Sequence, residues 1–330
     1  MSDHPFSDYL RILGKGPKSK RSLTVEEAAS ALKMILAGDV TDKQLGAFLL
    51  LMRANGESQE ELIGFVKGLR SALALDQFET EIDLDWAAYA GKWRYPPYFL
   101  LSIKLLVENG YKILLHGDAG QFQNREYVEA FLEPLEFKQA CSVSEANEFL
   151  QQNQAVYLPL ECYAPQLREI LHLKSELGVR TVFNTAVKLL NPLNSKVSMQ
   201  GIFHKGVENL HHAAASVNGA ERNLVFKGEG GEPEIRPDAL THLFFSNYTN
   251  EHATELKDVS FKAITERQTR PKTWQNQDLI DLWHGNKVDV YGEKAVIATT
   301  AVALMVMNLV EQSIAIKQAT QFWQQRKSVC

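Results

Sequence analysis

The chain is predicted to be an α/β protein. A small N-terminal helical domain over residues 1–75 precedes a larger α/β domain over 76–330 with a mostly parallel central sheet. Three observations predict this class. Helix-start signals followed by apolar positions at helical spacing recur three times before Leu75. From Ile82 onward, short apolar runs alternate with helical stretches, the pattern of a largely parallel sheet covered on both faces. The last segment, from Asp278 to Arg326, reads as helix with an alanine- and valine-rich face.

The helical unit is justified element by element. Thr24 and Glu27 form a capping box, in which hydroxyl and carboxylate satisfy N–H groups that the first helical turn leaves unpaired. Ala28, Leu32, Ile35 and Leu36 supply its apolar face, and Gly38-Asp39 stops it. Thr41-Asp42 opens a second helix around Leu45, Phe48, Leu49 and Met52, which Gly56 ends. Ser58 and Glu61 repeat the box before Leu62, Phe65, Val66 and Leu69. Tight connections between three amphipathic helices predict a bundle.

In the second part, Lys112–His116 (KILLH), Ala155–Pro159 (AVYLP) and Asn223–Lys227 (NLVFK) read as buried strands. The run from Ala295 to Val310 is the most apolar in the chain. It is shorter than the roughly 20 residues that span a bilayer, so it reads as a buried helix and no membrane partner is expected. The start of the chain has no uninterrupted apolar segment of the secretory kind, which points to the cytoplasm. A hydrophobic share of 45% and a charged share of 23% are those of a globular protein. A net charge of -5 disfavours bulk attraction to nucleic acid but leaves room for a local basic face. Cys141, Cys162 and Cys330 make no paired framework and read as reduced thiols.

One stretch organises the rest. Tyr163 to Pro192 reads YAPQLREILHLKSELGVRTVFNTAVKLLNP: a helix through Leu167, Ile170, Leu171 and Leu173, a stop at Gly178, then a new apolar segment ending at Asn191-Pro192. Its ELGVRTVFN and LLNP resemble the central signature of the anthranilate phosphoribosyltransferase family, and GESQEELIGFVKGL resembles that family's third helix. The resemblance covers nearly the whole chain. It implies a fold like the nucleoside phosphorylases and phosphoribosyltransferases, a helical domain completed by helices from about 163–190, and a homodimer formed through that domain.

The departures from the family pattern bear on function. The family's GTGGD-type loop cradles phosphate, which needs glycine so that backbone N–H groups can converge on the anion. Here the loop is Tyr89-Ala90-Gly91-Lys92-Trp93-Arg94-Tyr95-Pro96-Pro97, with one glycine and two prolines that lack N–H groups. The family's KHGNR becomes Leu115-His116-Gly117-Asp118-Ala119, and its metal-binding GLDE becomes Gly231-Glu232-Pro233-Glu234. The acceptor-lining histidine is replaced by Ala164 and the acceptor-binding arginine by Lys174, which keeps the charge but not the bidentate fork. In FNxxGPL the glycine and proline are gone, and Lys188 stands there. These losses argue against anthranilate phosphoribosyltransferase activity. They resemble the divergent YbiB-type branch, whose wording KGEGGE matches Lys227–Glu232 and which is associated with sequence-independent nucleic-acid binding.

The expected function is therefore non-specific binding of nucleic acid, single-stranded DNA foremost, without a cofactor. The expected contacts are Lys92, Arg94, Arg168, Lys174, Lys188 and Lys227, a cationic arm of Lys18, Lys20 and Arg21, and Trp93 as a stacking platform. Trp93 and Tyr95 fit equally as packing in a vacated pocket, and Lys18–Arg21 as a solvated loop. Arg180 and Asn184 read as residues that hold the ELGVRTVFN turn, and His116 as structural. The alternative is a phosphoribosyltransferase for an unknown acceptor, using PRPP with Mg²⁺ held by Glu234 and Glu232. The acidic loop through Glu229 reads otherwise as solvated.

Overall fold

The computed structural model describes residues 4–16, 18–77, 81–152, 155–249, 252–253 and 256–326, so Cys330 lies outside the described residues. Four helices open the chain: α1 Ser7–Gly14, α2 Val25–Leu36, α3 Asp42–Asn55 and α4 Gln59–Ala72. The last three begin with complete capping boxes, Thr24 with Glu27, Thr41 with Gln44 and Ser58 with Glu61. The first helix carries no capping signal, and periodicity over eight residues did not reveal it.

The α/β domain then alternates strand and helix. Strand β1 Leu84–Ala88 leads to α5 Tyr98–Glu108, and β2 Ile113–Gly117 to β3 Lys138–Gln139 and α6 Val143–Gln151. Strand β4 Val156–Pro159 runs into four short helices, α7 Leu160–Tyr163, α8 Pro165–His172, α9 Lys174–Leu177 and α10 Phe183–Ala186. Strand β5 Val197–Ile202, α11 Glu208–Ala215 and β6 Arg222–Lys227 follow. Next come β7 Thr241–Thr249, β8 His252–Ala253 and β9 Lys257–Phe261, then α12 Asn276–His284, α13 Val290–Asn308 and α14 Gln312–Gln325. Gly178 closes α9 in the left-handed conformation at φ 72°.

The strand order is β3-β4-β2-β1-β5-β6-β7, parallel through β6. Strand β7 then pairs antiparallel with β6, β8 and β9. The sheet is thus mostly parallel, as expected, with an antiparallel edge that apolar runs alone did not disclose. From β1 the chain first builds outward through β2, and later returns to place β5 on the other flank of β1. That reversal is a topological switch point, where the loops leaving the strands part and open a crevice.

Two large clusters hold the fold. One packs α5, α13 and α14 on the sheet around Trp86, Phe99, Leu224 and Phe226. Helix α13 is long and apolar enough to cross a membrane, yet 83% of its apolar window is buried in this core. The other joins α1–α4 to the 160–190 helices, with Phe48, Phe65 and Phe183 in edge-on and tilted contact.

Arg70 ties the two parts together. It is 2% exposed, and its guanidinium donates to the carbonyls of Leu190 (2.5 Å) and Asn191 (3.1 Å), to Asp76 Oδ1 (2.6 Å) and to the Asn194 side chain. Asn191 of LLNP and Asn194 just after it stand at positive φ, 45° and 53°, a conformation that suits asparagine at both positions. Arg70→Ala orphans two buried carbonyls. It is expected to cost about 2–4 kcal/mol, read from urea unfolding. A loss below about 0.5 kcal/mol would show that the turn stands without Arg70.

Candidate anion-binding cleft

The loops that leave the carboxyl ends of β1, β2, β5 and β6 converge beside the switch point. They carry Tyr89–Tyr95, Asp118–Tyr127, Phe203–Lys205 and Gly228–Glu234. Lys92 N–H donates to Glu126 O and Glu126 N–H to Lys92 O, both at 2.8 Å. This two-way bridge brings Trp93 beside Arg125. The one glycine left in the first loop, Gly91, sits at φ 67°, where a Cβ would lie 2.8 Å from the Tyr127 ring.

Three half-buried aromatic rings, Trp93, Phe122 and Phe203, are laced with cations. The Arg125 guanidinium lies 3.9 Å from the Trp93 ring centre and 3.9 Å from that of Phe122. Arg94 covers Trp93 at 4.7 Å, and Lys174 faces Phe122 at 4.3 Å. Arg180 lies 5.6 Å from Phe122 and 5.8 Å from Phe203. Lys188 Nζ donates to the carbonyls of Gly201 (2.6 Å) and Gly231 (3.2 Å). Among the described residues, Arg125, Lys174, Arg180 and Lys188 form no ion pair.

The electrostatics follow from this crowding. Burial, with Arg180 and Arg125 nearby, pushes the Lys188 ammonium down to about 8 despite the pull of Glu232. Burial lowers Arg125, and the like charges of Arg180 and Arg94 add to that. Burial and Arg53 lower Arg180. Cations that destabilise one another in a half-buried cleft are stabilised by an incoming anion. One hollow of about 360 Å³ is lined by Arg53, Arg180, Lys188 and Phe203. A neighbour of about 500 Å³ is lined by Phe203, Arg94, Lys205 and Lys227. Phe203 lines both, so the two hollows adjoin along one cation-rich track, with Glu57, Glu208 and Glu229 also on its walls.

Several expected contacts are corrected. Lys92 is 1% exposed, with Nζ 2.5 Å from Glu229 Oε2 and 2.5 Å from Glu234 Oε1, so it cannot meet a ligand. Arg21 makes a bidentate pair with Glu27 at 2.6 and 2.7 Å, and Lys20 donates to Asn55 Oδ1. Lys18, Lys20 and Arg21 line neither hollow. Arg168 shares Asp118 with His172, at 2.7 and 2.8 Å, so its charge is already matched. Tyr95 is buried and stacks on Tyr291 at 4.2 Å, a packing role. Arg180 faces the cleft, whereas Asn184 does hold the turn, accepting from Thr181 N–H at 2.8 Å. His116 is buried between Asp85 and Tyr89. The acidic loop is not solvated, because Glu229, Glu232 and Glu234 are all at most 2% exposed.

Arg94, Lys188 and Lys227 line the hollows, Trp93 stands beside Phe203 at 6.1 Å, and Lys174 reaches Phe122, outside both linings. Arg53, Arg180 and Phe203, which line it, and Phe122 and Arg125, which sit beside it against Trp93, were not expected there, because none of them stands at an altered position of the family motifs. The run Gln121–Tyr127 just after strand β2 was the available signal, since loops at strand ends build sites in such sheets.

The residues do not fit Mg²⁺ with PRPP. Both carboxylates expected to hold the metal are engaged: Glu234 on the Lys92 ammonium, Glu232 on the N–H groups of Ala90 (2.7 Å) and Gly91 (2.5 Å). Among the described residues, no group of three or more ligating side chains could hold a metal ion.

The helical bundle, the switch-point sheet and the crevice between them define a two-domain glycosyltransferase architecture. The family models agree: a helical bundle domain of a glycosyl transferase family matches residues 7–73, and its α/β domain matches residues 129–325. The chain belongs to glycosyltransferase family 3, the anthranilate phosphoribosyltransferase-like family. Its curated relatives include anthranilate phosphoribosyltransferases of Ignicoccus hospitalis (29% identical over 231 residues) and Metallosphaera sedula (28% over 223). Another is that of Sulfolobus acidocaldarius, 25% identical over 229 residues. Those matches cover 68%, 67% and 68% of this chain, and only 66%, 64% and 65% of the relatives' own lengths. Among solved structures, the Saccharomyces cerevisiae anthranilate phosphoribosyltransferase in complex with PRPP and Mg gives a TM-score of 0.77 at 16% identity, covering 98% of this chain and 94% of its own. The Thermus thermophilus enzyme gives 0.74 at 18%, covering 97% and 94%. These likenesses show the fold.

Proposed function

We propose that the cleft binds the phosphate backbone of nucleic acid, single strands foremost, as the YbiB-type departures suggest. The observation that carries this reading is the set of four cations without carboxylate partners, three of them, Arg125, Lys174 and Arg180, laced over Trp93, Phe122 and Phe203, and the fourth, Lys188, held on backbone carbonyls. Cations in a track neutralise successive phosphates, and half-buried rings beside them offer faces for bases. A labelled single-stranded oligonucleotide followed by fluorescence anisotropy tests it. Binding should weaken steeply between about 50 and 200 mM salt, about tenfold or more for a handful of phosphate contacts. Absence of binding at low salt would end this reading.

The pH dependence has a defined sign. Binding draws on protonated Lys188, so affinity falls as pH rises through about 8, by roughly three- to tenfold between pH 7 and 9. Without ligand, the depressed value costs stability below pH 8, and stability recovers between 8 and the ordinary lysine value of 10.5. Lys188→Met should flatten the affinity profile; an unchanged profile would assign it to another group.

A second reading, phosphoribosyl transfer from PRPP to an unknown acceptor, is favoured by the names of the three relatives given above, each an anthranilate phosphoribosyltransferase. It requires that PRPP with Mg²⁺ raise the melting temperature and be consumed with some acceptor. Stabilisation by PRPP regardless of Mg²⁺, without turnover, would instead mark PRPP as one more anion in the track.

A further inference from the structure

Away from the cleft, the fold brings together two thiols that stand 21 positions apart in the chain. Strands β3 and β4 run parallel with Gln139 opposite Tyr157, and Ala140 N–H still donates to Tyr157 O at 2.9 Å. Cys141 is the next residue, exposed in the turn into α6, its N–H donating to Glu145 at 2.6 Å. Beyond β4 the single turn of α7 keeps the chain close to the strand end, because a helical turn advances only about 5.4 Å. Cys162 on that turn packs against the apolar cluster that holds Ala140 and Val143, the residues that bracket Cys141. Both thiols are free, and they are neighbours close enough to interact.

We infer that Cys141 and Cys162 are a peroxide-reactive thiol pair that closes into a disulfide, clasping α7 to the turn between β3 and α6. Exposure sets the order of events. Cys141 is open to solvent and meets the oxidant first. Cys162 is partly covered, and burial, with Cys141, Glu161 and Glu145 alongside, pushes its thiol up to about 11. A sulfur held mostly protonated is a poor first nucleophile, so it acts second. In the first step the Cys141 sulfur attacks one oxygen of hydrogen peroxide and the O–O bond breaks. The departing hydroxide takes the thiol proton and leaves as water, and Cys141 becomes a sulfenic acid. In the second step the Cys162 sulfur attacks the Cys141 sulfur and the S–O bond breaks. Its hydroxide takes the Cys162 proton and leaves as a second water. Two thiols have then lost two electrons, and one peroxide has become two waters. Proximity of the sulfurs offsets the low thiolate fraction of Cys162, because this step is intramolecular. Charge selects the oxidant. Glu145 and Glu161 beside the pair repel an anionic disulfide such as oxidised glutathione and favour a small neutral peroxide. The inference stands apart from the nucleic-acid reading, since neither cysteine lines either hollow.

The test uses the full chain with Cys330→Ser, so that only the pair can react. It is exposed to hydrogen peroxide, quenched with catalase, alkylated, digested without reduction and read by mass spectrometry. A peptide pair joined through Cys141 and Cys162 is expected. The melting temperature should rise by about 3–6 °C, because closing a loop of this length restrains the unfolded chain. Dithiothreitol should reverse both changes. Adding Cys162→Ser should stop the reaction at a sulfenic acid on Cys141 that dimedone captures, and adding Cys141→Ser should leave Cys162 unmodified. Oxidised glutathione should close the bridge more slowly than peroxide does. Oxidation of Cys141 to sulfinic acid with no link to Cys162 would overturn the proposal. So would a Cys162 that reacts as readily without Cys141, or faster closure by oxidised glutathione.

Discussion

Alanine at both Arg125 and Arg180 is expected to lower affinity for a single-stranded oligonucleotide by about a hundredfold and to flatten its salt dependence by roughly 1 to 1.5 in log–log slope. The two guanidiniums stand over the shared rings Phe122, Trp93 and Phe203, and among the described residues neither pairs with a carboxylate. Removing them subtracts two phosphate contacts and exposes the rings without their cations. Both are only partly buried, and Arg180 holds the cleft through ring contacts, so the fold should tolerate the change. Arg125 does donate to Ala90 O at 2.5 Å, which makes an unfolding control necessary. Arg21→Ala is the contrasting variant. Its charge is already matched by Glu27, so its loss should leave affinity and slope unchanged. Equal effects from both variants would mean that binding reads bulk charge and not the cleft.

Lys92→Met is expected to destabilise the protein by about 3–5 kcal/mol, measured by urea unfolding at pH 8. The methionine fills the space of the side chain but leaves Glu229 and Glu234 buried without their counter-ion. Burial already pushes the Glu234 carboxyl up, against the pull of Lys92, and with the ammonium gone only the Phe99 N–H offsets that burial, while Glu229 adds to it. A carboxyl raised in the folded state costs stability above its folded value and regains it below. The deficit should therefore shrink as pH falls from 8 toward 5. A deficit that does not change with pH would mean that lost packing, not unpaired charge, is the cause.

The parts of this protein legible in its sequence are those that neighbouring residues settle among themselves. Thr24 with Glu27 and Ser58 with Glu61 satisfy the first helical turn within three residues, so the bundle's helices could be read directly. Gly178 at positive φ ends its helix for a reason internal to one residue. Strands β2, β4 and β6 announce themselves as short apolar runs because both faces of each are covered. The resemblance of ELGVRTVFN then placed these elements in a known architecture, and the fold followed.

The allocation of charge was decided only by tertiary structure. In sequence, Lys92 and Arg94 look alike, two cations in one altered loop. In the fold, Lys92 meets Glu229 and Glu234, 137 and 142 residues away, and disappears from the surface. Arg94 keeps 38% of its side chain exposed, beside Trp93. Arg168 and Arg21 are likewise neutralised, while Arg125, outside every motif, and Arg180, read in sequence as holding the ELGVRTVFN turn, stand without a carboxylate over aromatic rings. Helix caps and apolar periods are local and repeat along the chain. An ion pair depends on which distant carboxylate the folded backbone brings within about 4 Å, and no spacing along the chain encodes that distance.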